Sequence, residues 1–252
     1  MGLDFFDSSR HPVPRDVPLN LPGPRIDRAA AKQELTPELE IEAKFFLPRA
    51  LAKKLTSSAG FMQIEQRYFK RELIKSLLEE FIVPKRSGPV DLSDLSIARI
   101  RRTREPGQEA KYFIEFKGEK GGSTTARISR REISEPITAK DYKALKERAT
   151  AGILRKRRYA IPGTITINGR SIAAVAQVDC LQAAGKKLHK VKTKFDTVDI
   201  ELQDPAHIDA LRSGHHSFSF LTRSIELSAN NERLAKVLTT RRIAKNGLEP
   251  DA

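Results

Sequence analysis

From Glu38 onward the chain alternates apolar and charged residues in short blocks. Residues 38–46 (ELEIEAKFF) show the period of two that marks a strand. Further strands are predicted at 62–69, 95–104, 111–117, 126–134, 152–160, 164–168, 171–180 and 196–202. Between them, Pro48 to Leu55 reads as a short helix with proline in its first turn. Residues 70–82 carry Leu73, Ile74, Leu77, Leu78 and Phe81 at helical spacing, an insertion that Ser87-Gly88-Pro89 ends. Residues 138–149 make a helix capped by Thr138, and Glu232 to Lys245 a basic helix. The stretch GEKGGSTT at 118–125 and the pair Asn168-Gly169 are hairpin turns, the latter because both positions favour positive φ. The pattern therefore predicts about eight or nine strands with short helices between them.

Residues 1–37 follow no such pattern. Six of the 14 prolines fall there, and proline fixes φ and removes a donor, so a disordered arm is expected. A short helix from Arg28 to Leu35 is the one element it could hold. Residues 38–247 are expected to form a single domain.

Composition changes the picture in one respect. The chain of 252 residues has 46 Lys+Arg against 32 Asp+Glu, a formal net charge of +14. The first 39 residues hold five basic and six acidic groups, so the excess belongs to the body. That points to a polyanionic partner. A single cysteine, Cys180, excludes an intrachain disulfide scaffold. No apolar run approaches the length of a membrane span, and the N-terminus lacks the charge pattern of a signal peptide, so a cytoplasmic protein without membrane attachment is expected.

The positions of the charges are more informative than their number. One face of nearly every strand is charged rather than merely polar. Glu40, Glu42 and Lys44 share a face of the first strand, Arg99 and Arg101 of the third, and Lys156 and Arg158 of a later one. Lys117, Arg130, Glu132, Asp179, Asp199 and Glu201 complete the set. For one strand this is a solvent face. For a sheet that closes on itself the faces converge: basic groups then cradle polyphosphate and carboxylates hold hard cations.

These residues also resemble a known family. Glu40-Ile41-Glu42-Ala43-Lys44 is an ExExK strand, similar to the signature of the CYTH, or triphosphate tunnel metalloenzyme, superfamily. In family order there follow Gln66 and Tyr68, Arg99 and Arg101, Lys117-Gly118, Arg130 to Ser134, Lys156 and Arg158, Asp179, Asp199 and Glu201, and a late element at Ser228 to Ala235. The resemblance implies a mainly β fold, an eight-stranded antiparallel β-barrel forming a tunnel, with helices outside. It implies Mg²⁺ or Mn²⁺ at Glu40, Glu42, Glu201 and Asp199. Lys44, Arg99, Arg101, Lys117, Arg130, Lys156 and Arg158 would bind the phosphates, and Glu42, Lys44 and Glu132 would carry catalysis. Three positions depart from the family pattern. Ser134 stands for a glutamate, with Glu135 one residue off; Glu115 stands for a small or hydroxyl residue; Asp199 stands for a glutamate.

The expected activity is a metal-dependent triphosphatase acting on inorganic tripolyphosphate or a related triphosphate-containing small molecule. Class IV adenylate cyclase, thiamine triphosphatase and a non-catalytic polyphosphate binder are the alternatives. No aromatic residue is evidently placed to stack a base or thiamine ring. Nucleic acid is not the expected partner, although the charge permits it, and a homodimer is left open. Gly118 to Thr125 lacks the Gly-Lys-Ser/Thr of a P-loop. His215-His216 fit no zinc spacing and are expected at the surface, and Cys180 is expected as a buried, inert thiol.

Overall fold

Alternating sequence becomes alternating structure. The computed structural model describes residues 38–85, 93–118, 128–190, 195–202 and 206–226. The arm, its short helix, the Ser87-Gly88-Pro89 break, the glycine-rich turn, the basic helix at 232–245 and the late Ser228 element lie outside the described residues. The strands are β1 Glu38–Pro48, β2 Met62–Tyr68, β3 Leu95–Arg104, β4 Lys111–Gly118, β5 Ile128–Pro136, β6 Gly152–Ile167, β7 Arg170–Ala184, β8 His189–Lys190, β9 Phe195–Leu202 and β10 Ile225–Glu226. The α-helices are α1 Arg49–Leu55, α2 Ile74–Phe81, α3 Ala139–Arg148 and α4 Ala206–Arg212.

All strand pairs are antiparallel. The order runs β1-β5-β4-β3-β2-β6-β7, and β9 pairs with β7 on one side and β1 on the other. Each of these eight strands therefore has a neighbour on both sides. The two-residue strands β8 and β10 add to β7 and β1.

The apolar faces of the strands form the core with the helices. Ile100, Ile114, Phe116 and Ile133 pack with Ile74, Leu77 and Leu78 of α2 and with Tyr142 and Leu145 of α3. Ala43, Phe45, Leu47, Val178, Val198 and Ile200 pack with Ile208 and Leu211 of α4 and with Phe218 and Leu221. Helix α3 starts where predicted. The Thr138 hydroxyl accepts from the Asp141 N–H, and the Asp141 carboxylate accepts from the Thr138 N–H, a capping box.

Two expectations need correction. The predicted strands 152–160 and 164–168 are one strand, β6, of 16 residues. Pro162 and Gly163 do not break it, because β2 pairs with β6 only from Gly152 to Arg158. Beyond that point Pro162 sits on an edge, where its missing N–H costs no ladder bond. Gly163 is required there by packing: a Cβ would lie 2.3 Å from Cε1 of the buried Phe218 ring. The turn between β6 and β7 is as expected, with Asn168 at φ 49° and Gly169 at φ 76°. The second correction is α4, which was not predicted; its seven residues are too few for a clear period.

Gly163→Ala should therefore destabilise the fold by about 1–3 kcal/mol, the usual cost of overpacking. A lower urea midpoint with unchanged slope would show it. An unchanged midpoint would mean that the Phe218 ring moves aside freely.

Candidate functional site

The opposite faces of the same strands carry the charges, and several of them are buried. Glu115 is 0% exposed, Asp179 1%, Lys117 4% and Lys156 4%. No buried ion is tolerable alone, so the partners matter most.

Two carboxylates act as nodes. Glu115 on β4 lies opposite Arg99 on β3. Its Oε2 accepts from Arg99 Nε, and its Oε1 lies 2.7 Å from Arg101 Nη2. Burial works against the Glu115 charge, but Arg99, Arg101 and Lys117 outweigh it and hold the carboxyl below its ordinary range. Arg99 also donates to Tyr68 Oη at 3.4 Å, and Tyr68 Oη donates to Gln66 Oε1 at 3.5 Å. The predicted Gln66 and Tyr68 thus brace an arginine.

Asp179 on β7 is the second node. Its Oδ1 accepts from Arg158 Nε at 2.7 Å, and its Oδ2 accepts from Arg158 Nη2 at 2.8 Å and from Lys156 Nζ. This is the bidentate geometry that suits a guanidinium. Burial, reinforced by the Arg158 charge, brings the Lys156 ammonium down to about 8.

Further pairs extend the face. Lys117 Nζ lies 2.5 Å from Glu132 Oε2, and Arg99 Nη2 lies 3.9 Å from Glu132 Oε1. Lys44 Nζ lies 2.7 Å from Asp199 Oδ1, and Arg158 Nη2 lies 3.6 Å from Asp199 Oδ2. Glu201 Oε1 accepts from Gln177 Nε2 at 2.8 Å. Glu40, Glu42 and Arg130 are placed by register: Glu40 opposite Arg130, and Glu42 opposite Glu201. The seven basic residues assigned to this face are matched by seven carboxylates, Glu40, Glu42, Glu115, Glu132, Asp179, Asp199 and Glu201. Among the described residues no three His, Cys, Asp or Glu side chains group as a metal site.

One end of the charged face has an apolar floor. Tyr68, Leu154, Leu181 and Ala184 form a small buried cluster with Ile97 against it. Register explains this: Leu154 pairs with Gln66 and Leu181 with Lys156, so both share the charged face.

Register settles one departure, and two sequence readings change. Ser134 lies opposite Glu115, while Glu135 lies opposite the core residue Ile114, and no bulge interrupts the β4–β5 register. Glu135 therefore cannot substitute for the family's second glutamate; Lys85 Nζ approaches its Oε2 at 3.3 Å on the other face. Glu115, read as an anomaly, is a central partner of two arginines, and its shared parity with Lys117 was the available signal. An aromatic residue does line the charged face: Phe113 lies opposite Arg101, whose guanidinium carbon sits 5.0 Å from the ring centroid. Cys180 is partly buried, and burial pushes its thiol up to about 12, which makes it inert as expected. His215 is exposed, while His216 accepts from the Phe218 N–H through Nδ1 at 3.1 Å.

No known family model and no curated protein matches the chain. Similar solved structures include the inorganic triphosphatase NE1496, at 14% identity and TM-score 0.39, covering 81% of this chain and 93% of that one. The protein PH1819 from Pyrococcus horikoshii OT3 is similar at 16% identity and TM-score 0.40, covering 69% of this chain and 85% of that one. HpAC1 from Hippeastrum, described as a putative adenylyl cyclase with a dominant triphosphatase activity, is similar at 15% identity and TM-score 0.44, covering 80% of this chain and 98% of that one.

Two outcomes follow from the nodes. Glu115→Gln leaves Arg99 and Arg101 without their counter-charge and should cost about 3 kcal/mol or more in urea unfolding. A loss under about 1 kcal/mol would mean that the arginines relax to water. The Lys156 ammonium should lose its proton near pH 8, so that above this pH the face gains one net negative charge; ¹³C-lysine NMR would follow it. A midpoint near the ordinary lysine value of about 10.4 would contradict this.

Proposed function

We propose that this chain is a member of the CYTH superfamily and a metal-dependent triphosphatase whose charged face is the wall of an eight-stranded tunnel. The ring of strand pairings supports the tunnel. The observation that carries the activity is the convergence of Lys44, Arg99, Arg101, Lys117, Lys156 and Arg158 from four strands onto one face, each of them buried or half-buried. Such a density of buried cations suits a compact polyanion. Each of them already faces a carboxylate, so phosphate oxygens bind by taking over a cation from its carboxylate partner. Arg130 joins the phosphate-binding set by register.

The residues fit a divalent cation. Glu42 and Glu201 are direct cross-strand partners of like charge, an arrangement that is destabilising unless a cation lies between. Oxygen donors of this kind suit Mg²⁺ or Mn²⁺. Glu40, Glu42 and Glu201 would hold it, with Asp199 already engaged by Lys44. Bound there, the ion would neutralise phosphate charge and polarise the phosphoryl group.

The chain's own residues supply positioning. Gln66 and Tyr68 hold Arg99, and Glu132 holds Lys117. Lys156 binds phosphate as the ammonium, which it is below pH 8 or so. Water attacks the terminal phosphorus in line, and tripolyphosphate yields pyrophosphate and orthophosphate. Phe113 favours a second reading, a ring-bearing triphosphate such as a nucleotide or thiamine triphosphate, since its ring lines the same face.

The expected result is orthophosphate release from tripolyphosphate that requires Mg²⁺ or Mn²⁺, slower release from ATP, and no cyclic AMP. Glu42→Gln should lower turnover by about 100-fold or more, about 2.7 kcal/mol of transition-state stabilisation, with the fold intact by circular dichroism. Triphosphate binding without phosphate release would leave a binder. Cyclic AMP with stoichiometric pyrophosphate from ATP would replace hydrolysis by cyclisation.

A further inference from the structure

The charged face is balanced, so the formal +14 of the chain resides elsewhere. Part of it is concentrated on the outer face of β3, β2 and β6. Arg104 lies opposite Gln63, which lies opposite Arg157. Two residues along, Arg102 lies opposite Glu65, which lies opposite Arg155. Four arginines therefore mark the corners of a rectangle about 7 Å along the strands and about 9–10 Å across them. Arg104 and Arg155 are exposed, and Arg102 and Arg157 partly so.

Glu65 is the one carboxylate among them, and it is committed. Its Oε1 lies 2.8 Å from Arg67 Nε and its Oε2 lies 2.5 Å from Arg155 Nε. Arg102, Arg104 and Arg157 form no ion pair among the described residues. The Arg157 guanidinium carbon sits 4.7 Å from the Phe61 ring centroid, a cation–π contact.

We propose that this outer face binds the phosphate backbone of single-stranded nucleic acid. Charge complementarity requires a polyanion, and guanidinium groups match phosphate oxygens in pairs. The spread of the four groups over a sheet surface suits a chain of phosphates rather than one. A guanidinium seated over Phe61 and still partly exposed can offer its free side to a base. A membrane surface is disfavoured because, among the described residues, the exposed large hydrophobic side chains, Val83, Ile172 and Val175, lie off this face. The proposal does not depend on the triphosphatase reading, since these arginines point away from the charged interior.

The test is fluorescence anisotropy with labelled single-stranded oligouridylate of about 20 nucleotides, titrated from about 50 to about 300 mM KCl. Three proteins are compared: the full chain, the triple variant R102Q/R104Q/R157Q, and the control K53Q/K54Q/K75Q, which removes the same charge from exposed positions on α1 and α2. The arginine triple should bind at least about tenfold more weakly and lower the salt slope by about 2, as the loss of three phosphate contacts requires. The lysine control should stay within about twofold, and tripolyphosphate hydrolysis should be the same in all three. Arg104→Glu alone, at an exposed position, should also weaken binding if the triple fails to fold. Equal weakening by both triples, no binding by the full chain at about 50 mM salt, or binding of long-chain polyphosphate or phosphatidylserine vesicles in place of RNA would each overturn the proposal.

Discussion

A buried charge survives only opposite another, and the fold of this chain is arranged around that constraint. Glu115 and Asp179 are nearly inaccessible, and each is held by two basic side chains from neighbouring strands. These pairs exist only in one register. A slip of a single residue would turn Glu115 into the apolar layer against α2 and α3, and Ile114 or Phe116 into the charged one. Strand register and the candidate site are thus one requirement, met together or not at all.

That is also why so much was legible beforehand. Period-two alternation locates the strands, and the same alternation assigns each charge to a face, so Lys44, Arg99, Arg101, Lys117, Glu132, Lys156 and Arg158 can be placed on one face from the sequence, where their ion pairs also put them. What escaped depends on contacts between distant segments. Pro162 and Gly163 look like a break until it is known that β2 has ended beside them and that Phe218 lies over Gly163. Helix α4 is too short to show a period and is held by Ile208 and Leu211 packing on the sheet. Glu115 and Phe113 were visible as residues on a charged face. Their roles were not, because a list of faces does not say which strand stands next to which.

Pairing changes what ligand binding means here. A lumen of uncompensated cations would attract any anion. In this chain Lys44 faces Asp199, Lys117 faces Glu132, and both arginines of β3 face Glu115. On the proposed reading, an incoming phosphate would compete with a carboxylate already in place, so its affinity would be a difference between two strong interactions. Such an exchange favours a ligand that presents several charges at the right spacing and brings its own counter-cation for the displaced carboxylates. The like-charged pair Glu42 and Glu201 is where that cation would be most needed.

The run Arg155-Lys156-Arg157-Arg158 shows how one strand serves two environments. Lys156 and Arg158 reach Asp179 on the inner face, while Arg155 meets Glu65 and Arg157 meets Phe61 on the outer one. Composition sees four adjacent positive charges and suggests a single basic patch. The pleat separates them into two pairs with different dielectric surroundings, one desolvated and matched, the other hydrated and only partly matched. On the proposed reading the inner pair would meet only a ligand small enough to enter. The outer pair, with Arg102 and Arg104 beside it, is open to something extended. The net charge of the chain is therefore informative about its outer surface and nearly silent about its interior.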